Sequence, residues 1–397
     1  MKIIARSFVH RICIATVAML LLLLSNRAIA REEHEDRDDR ESNAVYVMTN
    51  RAEGNTIVAF RRASDGTLTL LEEVSTGGLG SGPIPLPPPI GGPNPLDSQN
   101  SLISVRDDHL LLAVNAGSND ISVLAVGRNG LHLIDKVSAG GEFPVSITHH
   151  RGLVYVLNSH GTPNITGFFL DFTGRLHRLP GSTRQAGDSG SLPAQVAFSP
   201  DGDSLIVTGR LANTISVFRL KEDGRAAAVT TIPSNNHTPF ALAFGPHHTV
   251  AITESNENPA RVAVPNAASV STYRLTDDST LIPISKAVPN NQSGTCWIRI
   301  TPNRKFAFVA NTGSGTISSY RLSPNGELSL LAEVAADTGG RFSVPIDLDM
   351  TPDGKFIYGL SSLIGTVKGY RIEEDGSLVP IVSIEGFPIS VQGIVAR

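Results

Sequence analysis

One unit of about 52 residues recurs seven times between residues 44 and 397, and this repeat constrains the fold more than any other feature of the chain. Each copy opens with a polar loop and a β-branched alternating run. The runs begin at Asn55, Asn119, Asn164, Asn213, Ala268, Gly315 and Gly365, in steps of 64, 45, 49, 55, 47 and 50 residues. About ten residues later comes a tight turn, as in SDGTL (64–68), RNGL (128–131), PNGEL (324–328) and EDGSL (374–378). Short alternating runs bounded by Gly turns are strands and hairpins. A period near 50 residues with no helical pattern predicts an all-β, seven-bladed β-propeller with four strands per blade. The Asp-Gly and Asn-Gly pairs predict type I′ turns, with positive φ at both central residues.

Residues 192–232 show the blade most clearly. LPAQVAFS (192–199) is the inner strand, SLIVTG (204–209) the second, TISVFRL (214–220) the third and AAAVTTI (226–232) the outer edge. The first copy has no inner strand, because AVYVMTN (44–50) matches a second strand. Its counterpart, FPISVQGIVA (387–396), stands at the other end of the sequence. The C-terminal strand is therefore expected to pair with 44–50 and close the ring. Closure removes two open sheet edges. At 397 residues the chain has the length of two or three ordinary domains, but the repeat makes it one ring.

The N-terminus is an address. Lys2, Arg6 and Arg11 precede an uncharged run from Ile12 to Leu24, and Ala28-Ile29-Ala30 follows. That is the pattern of a signal peptide cleaved after Ala30, with no retained membrane anchor and a secreted or periplasmic product. Cleavage moves the net charge from −4 to −8 and leaves Cys296 alone, so no internal disulfide forms. Residues 31–43 form an acidic leader, expected to be disordered. The negative balance excludes phosphate-backbone binding, and hence nucleic acid, as a default. A monomer without cofactor or metal is expected; no P-loop, EF-hand or H-E-x-x-H occurs in the sequence.

Loops between second and third strands share a face with the connections between blades. Their variable lengths mark that face as functional. ESNENPARVAVPN (254–266) is long and charged, and the Gly/Pro-rich connection 77–97 is expected to lie stiffly over the central channel. Glu254 ends a second strand, where a carboxylate near the channel is a usable general base. His160, Arg210 and Arg261 lie on the same face and can orient or polarise a ligand. Asn311 ends another second strand, near the channel, and is a candidate ligand-binding residue. Asp347 and Asp349 alternate on an inner strand, about 6.6 Å apart along one face, a spacing that suits holding a cation or acid–base work, and Asp347 is a candidate ligand-binding residue. Cys296 beside Trp297 is read as packed.

FSPDG (198–202), TPDGKF (351–356) and the run FVANTGSGTISSYRLSPNGEL (308–328) resemble the seven-bladed lactonase family, which includes propeller-type 6-phosphogluconolactonases and carboxy-muconate cyclases. YVMTN (46–50) is similar to the YVTN repeats of exported surface propellers. The resemblance covers nearly all of 44–397. It implies a His, Arg and Glu set around the channel, of which only Glu254 is matched. Segment 192–195 has no His, and Phe240, Thr312 and Ile346 stand where the family tends to place Arg. Without those arginines an anionic substrate lacks its donors. The expectation is an exported propeller that binds a small molecule, lactone or sugar-like, or an envelope protein on its loop face. The alternatives are a hydrolase or isomerase of a neutral lactone, with Glu254 as base, and a structural or adhesion propeller.

Overall fold

In the computed structural model, residues 43–85, 94–105 and 109–397 are described. The expected signal peptide and acidic leader fall on residues 1–42, outside the described residues. Asn43, assigned to the leader from sequence, already belongs to the ring, since Arg62 donates to its side chain at 2.6 Å.

The described residues contain strands and turns and no helix. They form seven antiparallel sheets with the strand order the repeat predicts. In blade 4 the strands are Gln195–Phe198, Ser204–Gly209, Thr214–Leu220 and Ala226–Pro233, close to the sequence assignment. The inner strand of blade 2, Leu102–Val105, carries none of the motif shared by the other inner strands and was not foreseen. The outer strand of blade 3 is broken into Leu176–Arg178 and Arg184–Gln185 around Pro180-Gly181. Proline cannot donate to a ladder, which explains the interruption.

Ile394–Ala396 pairs with Ala44–Met48 in antiparallel register and completes blade 1. Ala44 and Arg397 exchange both backbone hydrogen bonds, at 3.0 and 2.7 Å. The closing segment is short, but Val391, Ile394, Val395 and Ala396 are all buried.

The hairpin turns differ from the expected type I′. In the Asp-Gly turns only the glycine has positive φ, as at Gly66 (86°) and Gly376 (88°), while Asp65 and Asp375 do not; in the blade 5 turn Ser279 (64°) takes that place. Each is a type I turn followed by one left-handed residue, a three-residue hairpin loop. The glycine also serves packing. A Cβ at Gly66 would stand 2.6 Å from the Phe356 ring of blade 7. Buried tyrosines also join neighbouring blades: Tyr358 donates to the Gly66 carbonyl at 2.7 Å and Tyr370 to the Asp337 carbonyl at 3.1 Å. The core consists of apolar faces of adjacent sheets, with Trp297, Tyr155, Tyr273 and Phe308 fully buried.

The expectation for the connection after blade 1 falls in part outside the described residues. Of its residues, 86–93 are outside the described set, and 94–101 run into the channel itself. Trp297 Nε1 and Gln392 Nε2 both donate to the Ser98 carbonyl, at 2.7 and 2.8 Å. Ser98 Oγ donates to the Val145 carbonyl, and the Gln99 side chain bridges the Ile298 amide and the Leu242 carbonyl. These partners sit on the inner segments of blades 1, 3, 5 and 6, so the segment occupies the axis. It divides the channel into two ends.

Candidate functional site

Each second strand ends at the same structural position, fixed by register with the third strand. Asn115 pairs with Asp120, Glu254 with Ser269 and Asn311 with Thr316. At that position Asn311 is fully buried. Its Oδ1 accepts from Asn290 Nδ2 (3.0 Å) and Thr295 Oγ1 (2.6 Å), and its Nδ2 donates to Thr316 and Ser318. Asn115 repeats this pattern with Asn55, Thr76, Asp120 and Ser122. Each side chain pins its own blade to the preceding connection.

Glu254 is the blade 5 version of this pin. Its Oε1 accepts from Ser234 Oγ (2.9 Å), the Asn236 amide (3.0 Å) and Ser271 Oγ (2.8 Å), and its Oε2 from Ser269 Oγ (2.6 Å). It is fully buried, and burial raises its pKa against those hydrogen bonds. Its carboxylate is enclosed by these donors, and it makes no pair with Arg261. Sequence reasoning placed Glu254 and Asn311 at the channel. Their strand-end position turns both side chains between blades instead, and neither has donor or acceptor capacity left for a ligand.

Arg210 and Arg261, by contrast, meet at the loop-face end of the channel. Arg210 follows the second strand of blade 4, and its side chain is 2% exposed. It contacts Asp97, at the head of the channel segment, and lies 3.9 Å from Glu257 Oε1. Arg261 Nη2 donates to Asp97 Oδ2 at 2.6 Å. Burial lowers the Arg210 pKa, but the charges of Asp97 and Glu257 outweigh it and raise it. Burial pushes Glu257 upward, and Arg210 opposes the shift. Several buried polar atoms here have no hydrogen-bond partner among the described residues: Arg210 Nε, Arg261 Nε and Glu257 Oε2. Such orphans are rare in folded proteins, because an unmade bond to a charged group costs about 1–3 kcal/mol or more.

His160 stands at the rim, its ring stacked 4.0 Å from Phe143. Burial lowers its pKa; nearby Glu142 raises it, and the positive charge of Arg261 adds to the lowering. Beneath the cluster, burial holds the Cys296 thiol well above its usual range, so it is packed and protonated as the sequence suggested. Phe240 packs edge-on against Trp297 at 4.8 Å. Sequence reasoning missed Asp97, which no motif marked. It named Glu257 only as part of the long loop, although charge in a long loop was the available signal.

Asp347 lies at neither mouth. It is buried beneath the closing segment, where its Oδ1 accepts from the Leu348 amide at 2.9 Å. Its neighbour Asp349 instead pairs with Arg299 and accepts from the Ala396 amide. The two carboxylates thus have different partners and do not form a cation site; among the described residues no His, Cys, Asp and Glu cluster fit for a metal occurs. Burial lifts Asp347 to about 8, with Arg299 opposing and Asp349 reinforcing the shift. The folded state therefore holds this proton more tightly than the unfolded chain. The Asp347 contribution to stability is complete below about pH 4 and is lost progressively as the pH rises to about 8. Urea unfolding at pH 5, 7 and 9 should show this slope, and Asp347→Asn should flatten it. An identical slope in the variant would contradict the assignment.

Residues 166–264 and 242–386 match the family model described as lactonase, seven-bladed β-propeller. A search of curated proteins gave no match. Among solved structures, a provisionally assigned 6-phosphogluconolactonase from Bacteroides uniformis aligns at a TM-score of 0.67 and 21% identity, covering 89% of this chain and 100% of its own. A similarly assigned protein from Bacteroides fragilis aligns at 0.66 and 18%, covering 89% and 98%. The periplasmic gluconolactonase PpgL of Pseudomonas aeruginosa aligns at 0.65 and 17%, covering 89% and 99%. At these identities the structures speak for the fold alone. The family match spans more than half of the sequence, and the chain belongs to the seven-bladed β-propeller lactonase family.

Proposed function

We propose that this is an exported propeller that binds a small, uncharged, oxygen-rich molecule, a lactone or sugar-like compound, at the Asp97–Arg210–Glu257–Arg261 cluster. The observation that carries this reading is the set of buried, unpartnered polar atoms on Arg210, Arg261 and Glu257. They offer N–H donors and a carboxylate acceptor in one place, the complement of a molecule bearing both carbonyl and hydroxyl oxygens. Two guanidiniums face two carboxylates, so the cluster has no surplus positive charge for a phosphate. Phe240, Thr312 and Ile346, which stand where the family tends to place Arg, add none. The likeness to a protein described as a periplasmic gluconolactonase fits both the ligand class and the exported destination.

A second reading, turnover of a lactone, has its own observation. Glu257 is a carboxylate raised by burial, with one oxygen free of any partner. It suits a general base better than Glu254, with Arg210 and Arg261 polarising the lactone carbonyl.

Trp297 is the only tryptophan and bonds the segment that carries Asp97. Its fluorescence should therefore change, with saturation, on titration with an uncharged sugar δ-lactone. A phosphorylated lactone should bind more weakly. Glu257→Gln should weaken the uncharged ligand about tenfold or more, the usual effect of losing a charged hydrogen bond. Unchanged binding by a folded Glu257→Gln variant would reject the site. Lactone hydrolysis in the same samples, lost with Glu257→Gln, would select the second reading.

A further inference from the structure

The other end of the channel is also built for a ligand. There the inner strands finish around a cavity of about 230 Å³, lined by Asn100, Thr148, His149, Arg299, Asp349 and Arg397 among others. In liquid terms that is the share of about seven or eight waters, enough for a molecule of a few carbons. The channel segment separates it from the Arg210 cluster: Asp97 faces one end and Asn100 the other.

Arg299 organises the cavity. It comes from the inner strand of blade 6 and its side chain is only 18% exposed. Its Nε donates to Asp349 Oδ1 at 2.7 Å, Nη1 to the Ile298 carbonyl at 3.2 Å and Nη2 to Asn100 Oδ1 at 3.1 Å. A guanidinium has five N–H donors, so two remain after these bonds. Asp349 does not consume them, because its second oxygen accepts the Ala396 amide at 2.9 Å and lies 3.9 Å from Arg397 Nη1. Arg397 lines the same cavity, and its carboxyl oxygen accepts from Arg62 Nε at 2.7 Å. An Arg this enclosed, with two unspent donors beside a cavity, calls for an acceptor, and an anionic acceptor makes the stronger bond.

We propose that this cavity is a second binding site, for a small monocarboxylate such as a hydroxy acid of two to four carbons. The carboxylate takes the remaining Arg299 donors, and Thr148 Oγ1 and the Asn100 amide stand beside it for a hydroxyl group. The apolar Ile147 and Val395 also line the cavity and receive the short carbon chain. Uncharged polyols fit but lack the charge-assisted bond, which is roughly twice as strong as a neutral one.

Isothermal titration of the full chain with sodium lactate, against glycerol at matched ionic strength, tests the proposal. Lactate should bind with a dissociation constant on the order of 0.1–1 mM, and glycerol at least about tenfold more weakly. Arg299→Gln should weaken lactate about tenfold or more. Should that variant lose its cooperative melt, Arg397→Gln, altered at the cavity edge, should weaken lactate several-fold in a folded protein. A saturating uncharged sugar lactone should leave lactate binding unchanged, since it occupies the other end. Equal affinity for glycerol and lactate, no heat with lactate up to about 10 mM, undiminished lactate binding by both variants, or displacement by the lactone would each overturn the proposal.

Discussion

Removal of residues 387–397 is expected to leave a chain without a cooperative thermal transition. These residues supply the inner strand of blade 1, and the truncation would open the ring between blades 1 and 7. It would expose both the edge of Ala44–Met48 and the apolar flank of blade 7, where Tyr358 and Leu360 pack with Val391 and Ile394. Burying a Val or Ile side chain stabilises by about 1.5–3 kcal/mol, so Val391, Ile394 and Val395 together contribute on the order of 6 kcal/mol. Polar losses add to that. Gln392 accepts from the Leu96 amide and donates to the Ser98 carbonyl, which holds the channel segment, and Ser390 Oγ donates to the Thr49 carbonyl. A domain is typically stable by only about 5–15 kcal/mol. Circular dichroism melts and limited proteolysis of the truncated chain check this. A sharp melt within a few degrees of the intact protein would show that the ring does not depend on its closing strand.

What could be read from the sequence follows from what repetition reports. Seven copies expose the period, the strand boundaries and the missing inner strand, because the same physical requirement is written seven times. Thr214–Leu220 and Ser204–Gly209 were located to the residue for that reason. The channel segment occurs once, so nothing in its sequence distinguishes an axial insertion from a loop lying over the surface. The turns differ from the expectation because Asp-Gly suits two hairpin loops, and the dipeptide by itself does not choose between them. Among the candidate residues, Arg210 and Arg261 converged because both sit in loops, where a long side chain can turn toward the axis. Glu254 and Asn311 did not, because a strand's alternation fixes the direction of its last side chain.

The sharpest test of that distinction compares two glutamates three residues apart. Glu254→Ala removes a fully buried acceptor from four donor groups: the hydroxyls of Ser234, Ser269 and Ser271 and the Asn236 amide. Stranding buried donors costs about 1–3 kcal/mol each, partly offset by relief from burying a charge. A net loss of about 3 kcal/mol is expected in denaturant unfolding, with a lower midpoint. Glu254→Gln should cost only about 1 kcal/mol, because serine hydroxyls rotate to accept from an amide, as Thr316 and Ser318 already do for Asn311. Neither Glu254 variant should alter lactone affinity while folded. Glu257→Gln should show the opposite profile. Its carboxylate receives only Ser255 Oγ (3.0 Å) and a distant guanidinium, so stability should change little while binding falls. If Glu254→Gln abolished binding and Glu257→Gln did not, the pin at the end of the blade 5 strand would be the ligand's partner and the loop cluster would not.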